Sequence, residues 1–223
     1  MIATASICGT LLDDCTVSSL FKALCSRFGG DTAALDEDTM LRLVETARAG
    51  DRMAKQRLYR QHVDGVFRTV RGMLRSDADA EEVTQDAMLT MLTSLDRYSP
   101  RTGTRFVAWV TTIAMNTARR RFRRRRPESV DPSELLHIPD DAADPGREAD
   151  GEKQRKALLT ALTELNARER EIVSLRYGSE LDATEIAHVL TLEPANVRKI
   201  LERARTHLGS RIEALLNSTG ELT

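Results

Sequence analysis

Apolar residues recur every three or four positions along most of this chain, which is the period of an amphipathic α-helix. Residues suited to capping divide the pattern into segments. Asp38 is placed to cap a first helix that ends at Gly50, and Asp51 to cap a second that runs to Leu74. The pattern therefore predicts successive helices that each bury one face against a neighbour.

Two further helices follow in the same part of the chain. Asp79, with Glu82 at the reciprocal capping position, predicts the start of a third helix. Its expected apolar face is Val83, Ala87, Leu89, Leu92 and Leu95. The Ser-Pro and Thr-Gly pairs of Arg97–Gly103 predict a loop, and Thr104–Arg126 predicts a fourth helix. We expect these four helices to form one compact bundle over residues 36–126.

Residues 127–151 interrupt the helical pattern. They contain four prolines and eight acidic residues but a single arginine, and few large apolar side chains. Such a composition cannot bury enough apolar surface to fold, so it predicts a flexible acidic linker. With no nucleic acid present, this linker is expected to be able to lie against the arginines that precede it.

A second run of helical signals begins at about Glu152. Two capping-box pairs follow, Asn166 with Glu169 and Asp182 with Glu185. A short helix after Asp182, a three-residue turn and a long basic helix beginning at Pro194 form a helix-turn-helix pattern. We expect a helical domain over residues 152–216 and a short tail over 217–223.

Residues 1–35 look separate from both helical units. One face of a short helix ended by Gly29-Gly30 would consist of Leu20, Phe21, Leu24 and Phe28. The segment is expected to be poorly ordered or to form that helix. Three alternatives stay open for its role: a loosely held tail, sequence upstream of a start at Met40, or a docking segment for a regulator.

Composition agrees with an all-α protein. Of 223 residues, 41% are hydrophobic, only 4% are aromatic and 30% are charged, which suits small helical cores of aliphatic side chains. We predict an all-α fold of two small helical domains joined by the acidic flexible linker, the C-terminal domain containing the helix-turn-helix. No apolar run reaches the roughly 20 residues of a membrane span. No secretory signal is evident either, so a cytoplasmic location is expected.

Positive charge is concentrated on two helices. The outward side of the last helix carries Asn196, Arg198, Lys199, Arg203 and Arg205. These residue types read base edges or hold phosphates, although a solvated basic face is the alternative. Arg119–Arg126 contains seven arginines and no acidic residue, and phosphates would offset their mutual repulsion. Of the nearby rings, Tyr98 is expected to be exposed, Trp109 is undecided, and Phe106 is expected in the core; exposed rings stack on single strands.

The sequence offers no evident catalytic chemistry. The four histidines are scattered, and there is no zinc motif, glycine-rich phosphate loop or nucleophile elbow. We therefore expect no enzymatic activity, no metal and no cofactor. The cysteines Cys8, Cys15 and Cys25 lack ligand spacing and are expected to be reduced thiols, with redox or metal sensing as the alternative.

Three segments, taken in order, resemble the sigma-70 type initiation factors of bacterial RNA polymerase, specifically the short extracytoplasmic-function (ECF) class. Asp79–Leu89 (DAEEVTQDAML) is similar to the polymerase-binding segment of that family, and Arg105–Asn116 (RFVAWVTTIAMN) to its promoter-melting, −10-reading helix. Ala161–Leu208 resembles the domain that reads the −35 element. The resemblance implies a factor that directs promoter-specific transcription initiation with core polymerase, and an anti-sigma factor as a further partner.

The resemblance also implies a role for each polar surface. By spacing alone, a stripe on the third helix is a solvated face, but the resemblance implies that it binds core polymerase through Glu81, Glu82, Gln85 and Asp86. The loop would cover a flipped base of the −10 strand. That strand and the adjacent duplex would be held by Tyr98, Arg101, Trp109, Asn116, Arg119, Arg120, Arg123 and Arg124. The −35 duplex would be contacted by Asn196, Val197, Arg198, Lys199, Arg203 and Arg205.

The chain departs from the family pattern at several of these positions. Met115 stands where the family usually has Arg, and Arg120 where it commonly has Asp. Ala195-Asn196 replaces the usual Gly-Thr, and Glu193 the usual Ser cap, so the promoter sequence is not implied. The alternative function is a stand-alone helix-turn-helix regulator, which would have no use for Asp79–Leu89. A helical protein-interaction module is the third hypothesis.

Overall fold

A computed structural model describes residues 14–23, 35–74, 76–100, 103–125 and 149–218. Within these ranges the chain forms nine α-helices and one 3-10 turn, so the predicted all-α class is confirmed. The helices are α1 (Asp14–Ala23), α2 (Glu37–Arg48), α3 (Arg52–Met73), α4 (Asp77–Thr93), α5 (Phe106–Arg125), α6 (Ala149–Glu164), α7 (Ala167–Gly178), α8 (Ala183–Leu190) and α9 (Pro194–Ser218). Most of the expected linker lies outside the described residues.

Two helices begin earlier than their sequence signals predicted. The side chain of Asp36 accepts the backbone N–H of Thr39 at 2.9 Å, so Asp36 caps α2 and the assignment to Asp38 is wrong. Ser76 caps α4 by accepting the N–H of Asp79 at 3.2 Å, which corrects the start expected at Asp79. In both cases the residue expected as the cap lies in the first turn of the helix, where an acidic side chain interacts favourably with the helix dipole.

The capping predictions for α3, α7 and α8 are confirmed, whereas α5 begins at Phe106, two residues after the expected start at Thr104. Asp51 caps α3 by accepting the N–H of Ala54 at 2.7 Å. Both capping boxes are present, at Asn166 for α7 and at Asp182 for α8, each with the glutamate three residues later. Pro194 is the first residue of α9, where its missing N–H costs no hydrogen bond. Local spacing therefore determines the start of four helices.

Helices α2 to α5 enclose one apolar core. On α4 the buried stripe is Ala80, Val83, Ala87 and Met91, at the spacing of one helix face. Leu89 was expected on this face, but it is 60% exposed. That expectation is wrong because position 89 lies about 200° around the helix from Ala87. Leu89 is thus an apolar side chain on the outer surface of the unit.

Helices α6 to α9 form the second unit, and α1 packs into it. Val17 and Phe21 of α1 are fully buried in one cluster with Leu158, Tyr177 and Leu208. The expectation of a loosely held tail is therefore wrong for residues 14–23. They form a packed helix because these two apolar side chains share a face. The expected helix was longer, and its residues Leu24 and Phe28 lie outside the described part of the chain.

Candidate polymerase and nucleic-acid interfaces

The helix-turn-helix is formed by α8, a tight turn and the start of α9. Thr191 ends α8 in the left-handed conformation, with φ 56°, and the N–H of Leu192 donates to the carbonyl of Ala187 at 2.8 Å. Ile186 and Val197 are fully buried between the two helices. The buried side chains fix the angle of α9, so its other face points away from the core.

The exposed face of α9 is polar and basic. Four of its predicted DNA-binding residues are exposed: Asn196, Arg198, Lys199 and Arg203. Arg205 is half-buried. Val197 was expected to touch DNA, but it is fully buried, because it lies on the inner side of the helix that packs against α8. The prediction that Val197 contacts DNA directly is therefore wrong for this conformation.

The acidic stripe of α4 faces outward, as a binding surface requires. Glu82, Gln85 and Asp86 are exposed, and Glu81 is half-buried. The exposed Leu89 lies one turn beyond, in a groove between α4 and α5 that Asp86 also lines. Leu89 was not expected at the surface, although its position about 200° around the helix from Ala87 is sufficient to place it there.

Arg121 of α5 joins the arginine-rich segment to this acidic stripe. Its guanidinium donates two hydrogen bonds to the carboxylate of Glu82 and lies 3.6 Å from that of Asp79. The hydrogen bonding that Arg121 donates to Glu82 is the main cause that raises the pKa of Arg121. Arg121 is half-buried and therefore belongs to the junction of the two helices rather than to an open cationic surface.

An aromatic cluster supports the N-terminal end of α5. Tyr98 was expected to be the exposed ring, but it is only 5% exposed and packs edge-on against Phe106, with centroids 4.8 Å apart. The expectation is wrong because the 3-10 turn before Tyr98 directs the ring into the core. Trp109 is half-buried and lies 5.3 Å from the Tyr98 ring, so part of its surface faces solvent.

The other residues expected at the −10 strand divide into three groups. Asn116 and Arg120 are exposed on α5. Arg119 is half-buried and donates to the carboxylate of Glu171 in α7 at 2.8 Å. Arg101 lies outside the described residues, as do the side chains of Arg123 and Arg124.

An ion pair between the two helical units was not predicted. Arg105, just before α5, donates from Nε to Glu185 Oε1 at 2.8 Å and from Nη2 to Oε2 at 2.7 Å. Glu185 is only 1% exposed and also accepts the N–H of Asp182 at 2.9 Å in the α8 capping box. Because the pairing joins residues 80 positions apart, no local sequence signal identifies it.

Comparisons with known proteins assign both helical units to one family. Residues 58–128 match the family model described as Sigma-70 region 2, and residues 155–208 match Sigma-70, region 4. RNA polymerase sigma factor CarQ of Myxococcus xanthus is 32% identical over 80% of this chain and 97% of its own. The chain belongs to the ECF class of the sigma-70 family. This ECF sigma factor spans 66% of the length of one curated relative, the ECF RNA polymerase sigma factor BldN.

ECF RNA polymerase sigma factor BldN of Streptomyces coelicolor is 31% identical over 77% of this chain and 66% of its own. The solved structure of CnrH in complex with the cytosolic domain of CnrY shares the fold. It has 23% identity, a TM-score of 0.54, and coverage of 79% of this chain and 96% of that one. The chain is a sigma factor that directs transcription initiation through RNA polymerase and is not an enzyme.

Within the described ranges, no group of three His, Cys, Asp or Glu side chains is arranged to hold a metal ion. None of the helices in those ranges combines the length and apolar character that crossing a membrane requires.

The family assignment confirms the hypothesis of a sigma factor over that of a stand-alone helix-turn-helix regulator.

Proposed function

We propose that this ECF sigma factor initiates transcription with three separate surfaces. The outer face of α4 binds core polymerase, α5 and the loop before it hold the opened −10 strand, and the exposed face of α9 binds the −35 duplex. The corresponding domains are residues 36–126 and 152–216 as expected from the sequence, joined by an acidic segment that ends where α6 begins. The protein acts in the cytoplasm, where its polymerase is found.

The observation that carries this proposal is the separation of exposed charge between two helices. The outer face of α4 presents Glu82 and Asp86, whereas that of α9 presents Arg198, Lys199 and Arg203. A polyanion such as DNA is attracted to the second surface and repelled by the first. A protein partner is therefore the suitable ligand for α4, and the exposed Leu89 adds the apolar contact that protein interfaces contain.

The −10 surface is supported by exposed polar groups above a rigid ring cluster. Asn116 and Arg120 are exposed on α5, and Trp109 keeps part of its ring accessible. Tyr98 contributes from below by fixing Phe106 and Trp109 through ring contacts of 4.8 and 5.3 Å. Stacking on an aromatic ring stabilises a captured base by about 1–3 kcal/mol. Opening costs about 1.4 kcal/mol per base-pair step, so polymerase must contribute most of the melting free energy.

A protein regulator is the further partner of this proposal. CnrH, which shares the fold, was solved with the cytosolic domain of CnrY. We assign an anti-sigma factor to this chain by the same resemblance. Pull-down with the chain would identify this regulator, and transcript mapping would identify the promoter sequence.

Transcription in vitro with purified bacterial core polymerase tests the proposal. The wild-type protein should form a complex with core and produce promoter-dependent transcripts from genomic templates of its source organism. The double variant Glu82→Lys, Asp86→Lys should lose core binding, because it replaces two carboxylates of the proposed interface with cations. Glu45→Lys, at an exposed position on α2, is the matched charge-reversal control and should bind core normally.

A different experimental result would contradict the assignment of each surface. If the α4 double variant binds core as tightly as Glu45→Lys does, the polymerase surface is misassigned. If it also loses duplex binding by α9, the two surfaces are not independent and the domain assignment is wrong. If the wild-type protein yields no promoter-dependent transcript, the proposed division of promoter contacts fails altogether.

A further inference from the structure

The two helical units approach each other most closely along α3 and α7. The side-chain hydroxyls of Thr69 in α3 and Ser179 after α7 are hydrogen-bonded at 2.7 Å. Arg68 donates from Nε to the carbonyl of Gly178 at 3.2 Å. Small side chains on both helices bring the backbones this close, and Gly178 is the position at which no larger residue fits.

A methyl group at Gly178 would collide with the opposite helix. Its Cβ would lie 2.4 Å from Oγ1, 2.5 Å from N and 2.6 Å from Cα of Thr69. Two of these atoms are backbone and cannot rotate away. The backbone of Gly178 itself accepts alanine, because its φ is not positive. Glycine is therefore required at this position by the contact between the units and not by α7 itself.

Apolar contact between the units falls on α5. Ala108 and Met115 are each 1% exposed, and both lie in one cluster with Ile172, Leu175 and Ile186 of the second unit. Met115 stands at the position where the family resemblance places an arginine. An arginine there would place a charged group in this apolar cluster, so methionine suits a helix that is covered by the second unit.

One of the polar contacts between the units uses a group that the proposed function assigns to DNA. Arg119, assigned to the −10 strand, is held by Glu171 at 2.8 Å. Arg105, just before the melting helix, is held by the buried Glu185. While the pair with Glu171 exists, Nη2 of Arg119 is engaged by a carboxylate, and the Ala108–Met115 side of α5 is covered.

Helix α1 packs where the two units meet. Phe21 is fully buried, with its ring centroid 5.6 Å from that of Tyr177 in α7. The same ring lies next to Gly72 of α3, where an added Cβ would come within 3.2 Å of Cε1. Lys22 pairs with Glu180 at 3.3 Å. One short helix therefore touches both sides of the junction between α3 and α7.

We infer that α1 fastens an arrangement in which the second unit closes over the promoter-melting helix α5, and that binding of the −10 strand by α5 requires this arrangement to open. The inference rests on the proposed function for the assignment of α5 and Arg119 to DNA. The occupant of the α5 surface is the chain's own C-terminal unit. Opening exchanges the contacts of Met115 and Arg119 for contacts with the promoter.

Four variants of the full chain test the inference. Gly178→Ala should prevent closure through its collision with Thr69, and Phe21→Ala should weaken the fastening by α1. The control for the first is Gly65→Ala, since a Cβ there meets only ordinary contacts at 3.5 Å or more. The control for the second is Ser19→Ala, at an exposed position of α1. Far-UV circular dichroism should show the same helix content in all four.

Small-angle X-ray scattering measures closure directly. A compact chain of 223 residues has a radius of gyration of about 17 Å by general scaling, to which the terminal segments add. The wild-type protein and both controls should share one value, and Gly178→Ala and Phe21→Ala should exceed it by roughly a quarter when the units separate. A wild-type value equal to that of Gly178→Ala would overturn the closed arrangement.

Binding to a fluorescently labelled single-stranded DNA of mixed sequence, at low salt, measures the consequence for α5. If about one molecule in ten is open, forcing the chain open should raise the apparent affinity roughly tenfold. Suppose that Gly178→Ala is expanded but binds DNA no better than Gly65→Ala. That result would overturn the inference that closure limits DNA binding. If no variant binds DNA, the proposed function fails instead, while the scattering result still decides whether the chain closes.

Discussion

Protonation of His62 should destabilise the N-terminal unit. His62 is 6% exposed, its ring centroid lies 5.2 Å from that of Phe106, and its Nε2 is buried without a hydrogen-bond partner in the described part of the chain. Burial lowers the pKa of His62 from 6.5 to about 4. Because charging this ring would place a cation in an apolar core, the folded unit keeps it neutral at physiological pH.

The size and direction of the effect follow from the two pKa values. Between pH 6.5 and about 4 the unfolded chain binds a proton at His62 that the folded chain does not. The free energy of unfolding therefore falls as the pH falls through this window, and is unaffected by His62 above it. At about 1.4 kcal/mol per pH unit, the full loss is about 3 kcal/mol.

Urea unfolding followed by Trp109 fluorescence is the appropriate assay. Trp109 is the only tryptophan in the chain, and it packs against the same core. His62→Leu should lack the loss between pH 7 and pH 4, so its stability difference from the wild-type protein should change by about 3 kcal/mol across that range. His188→Gln, at an exposed histidine, is the control. Parallel pH profiles for wild type and His62→Leu would refute the reasoning.

Three other substitutions probe local parts of the structure. Asn166→Ala removes the side-chain acceptor of the α7 capping box and should lower the free energy of unfolding by about 1 kcal/mol in urea titrations. Phe67→Ala should cost about 3–5 kcal/mol by calorimetry, because the ring is 1% exposed in the first core. Lys199→Ala should reduce the log–log salt slope of duplex binding by about 0.9, since one phosphate contact is lost, whereas Glu202→Ala should leave it unchanged.

Elements determined by nearby residues were predictable from the sequence. The capping boxes at Asn166 and Asp182 each consist of a cap and a glutamate three positions later, and both are present. The exposed positions of α9 followed from the period of the helix. Asp36 and Ser76 show the limit of such signals, since several acidic or hydroxyl residues compete near each helix start and only backbone conformation selects one.

Side-chain placement across the chain was less predictable. Tyr98 was expected at the surface because it follows a helix in a loop, yet a turn directs its ring onto Phe106. Val197 lies among DNA-binding residues in sequence but is fully buried against α8. In each case the deciding contact is with another element, and a helical period does not report which element approaches.

The amino-acid sequence by itself therefore determined the helices, the two clusters of family motifs and the opposite charges of α4 and α9. These properties depend on spacing within about four residues or on residue type alone. Tertiary structure alone decided that Arg105 pairs with Glu185, that Met115 is covered, and that Phe21 lies between the two units. Those contacts join residues that are far apart in the chain, and their stability comes from burial that exists only once the helices have packed.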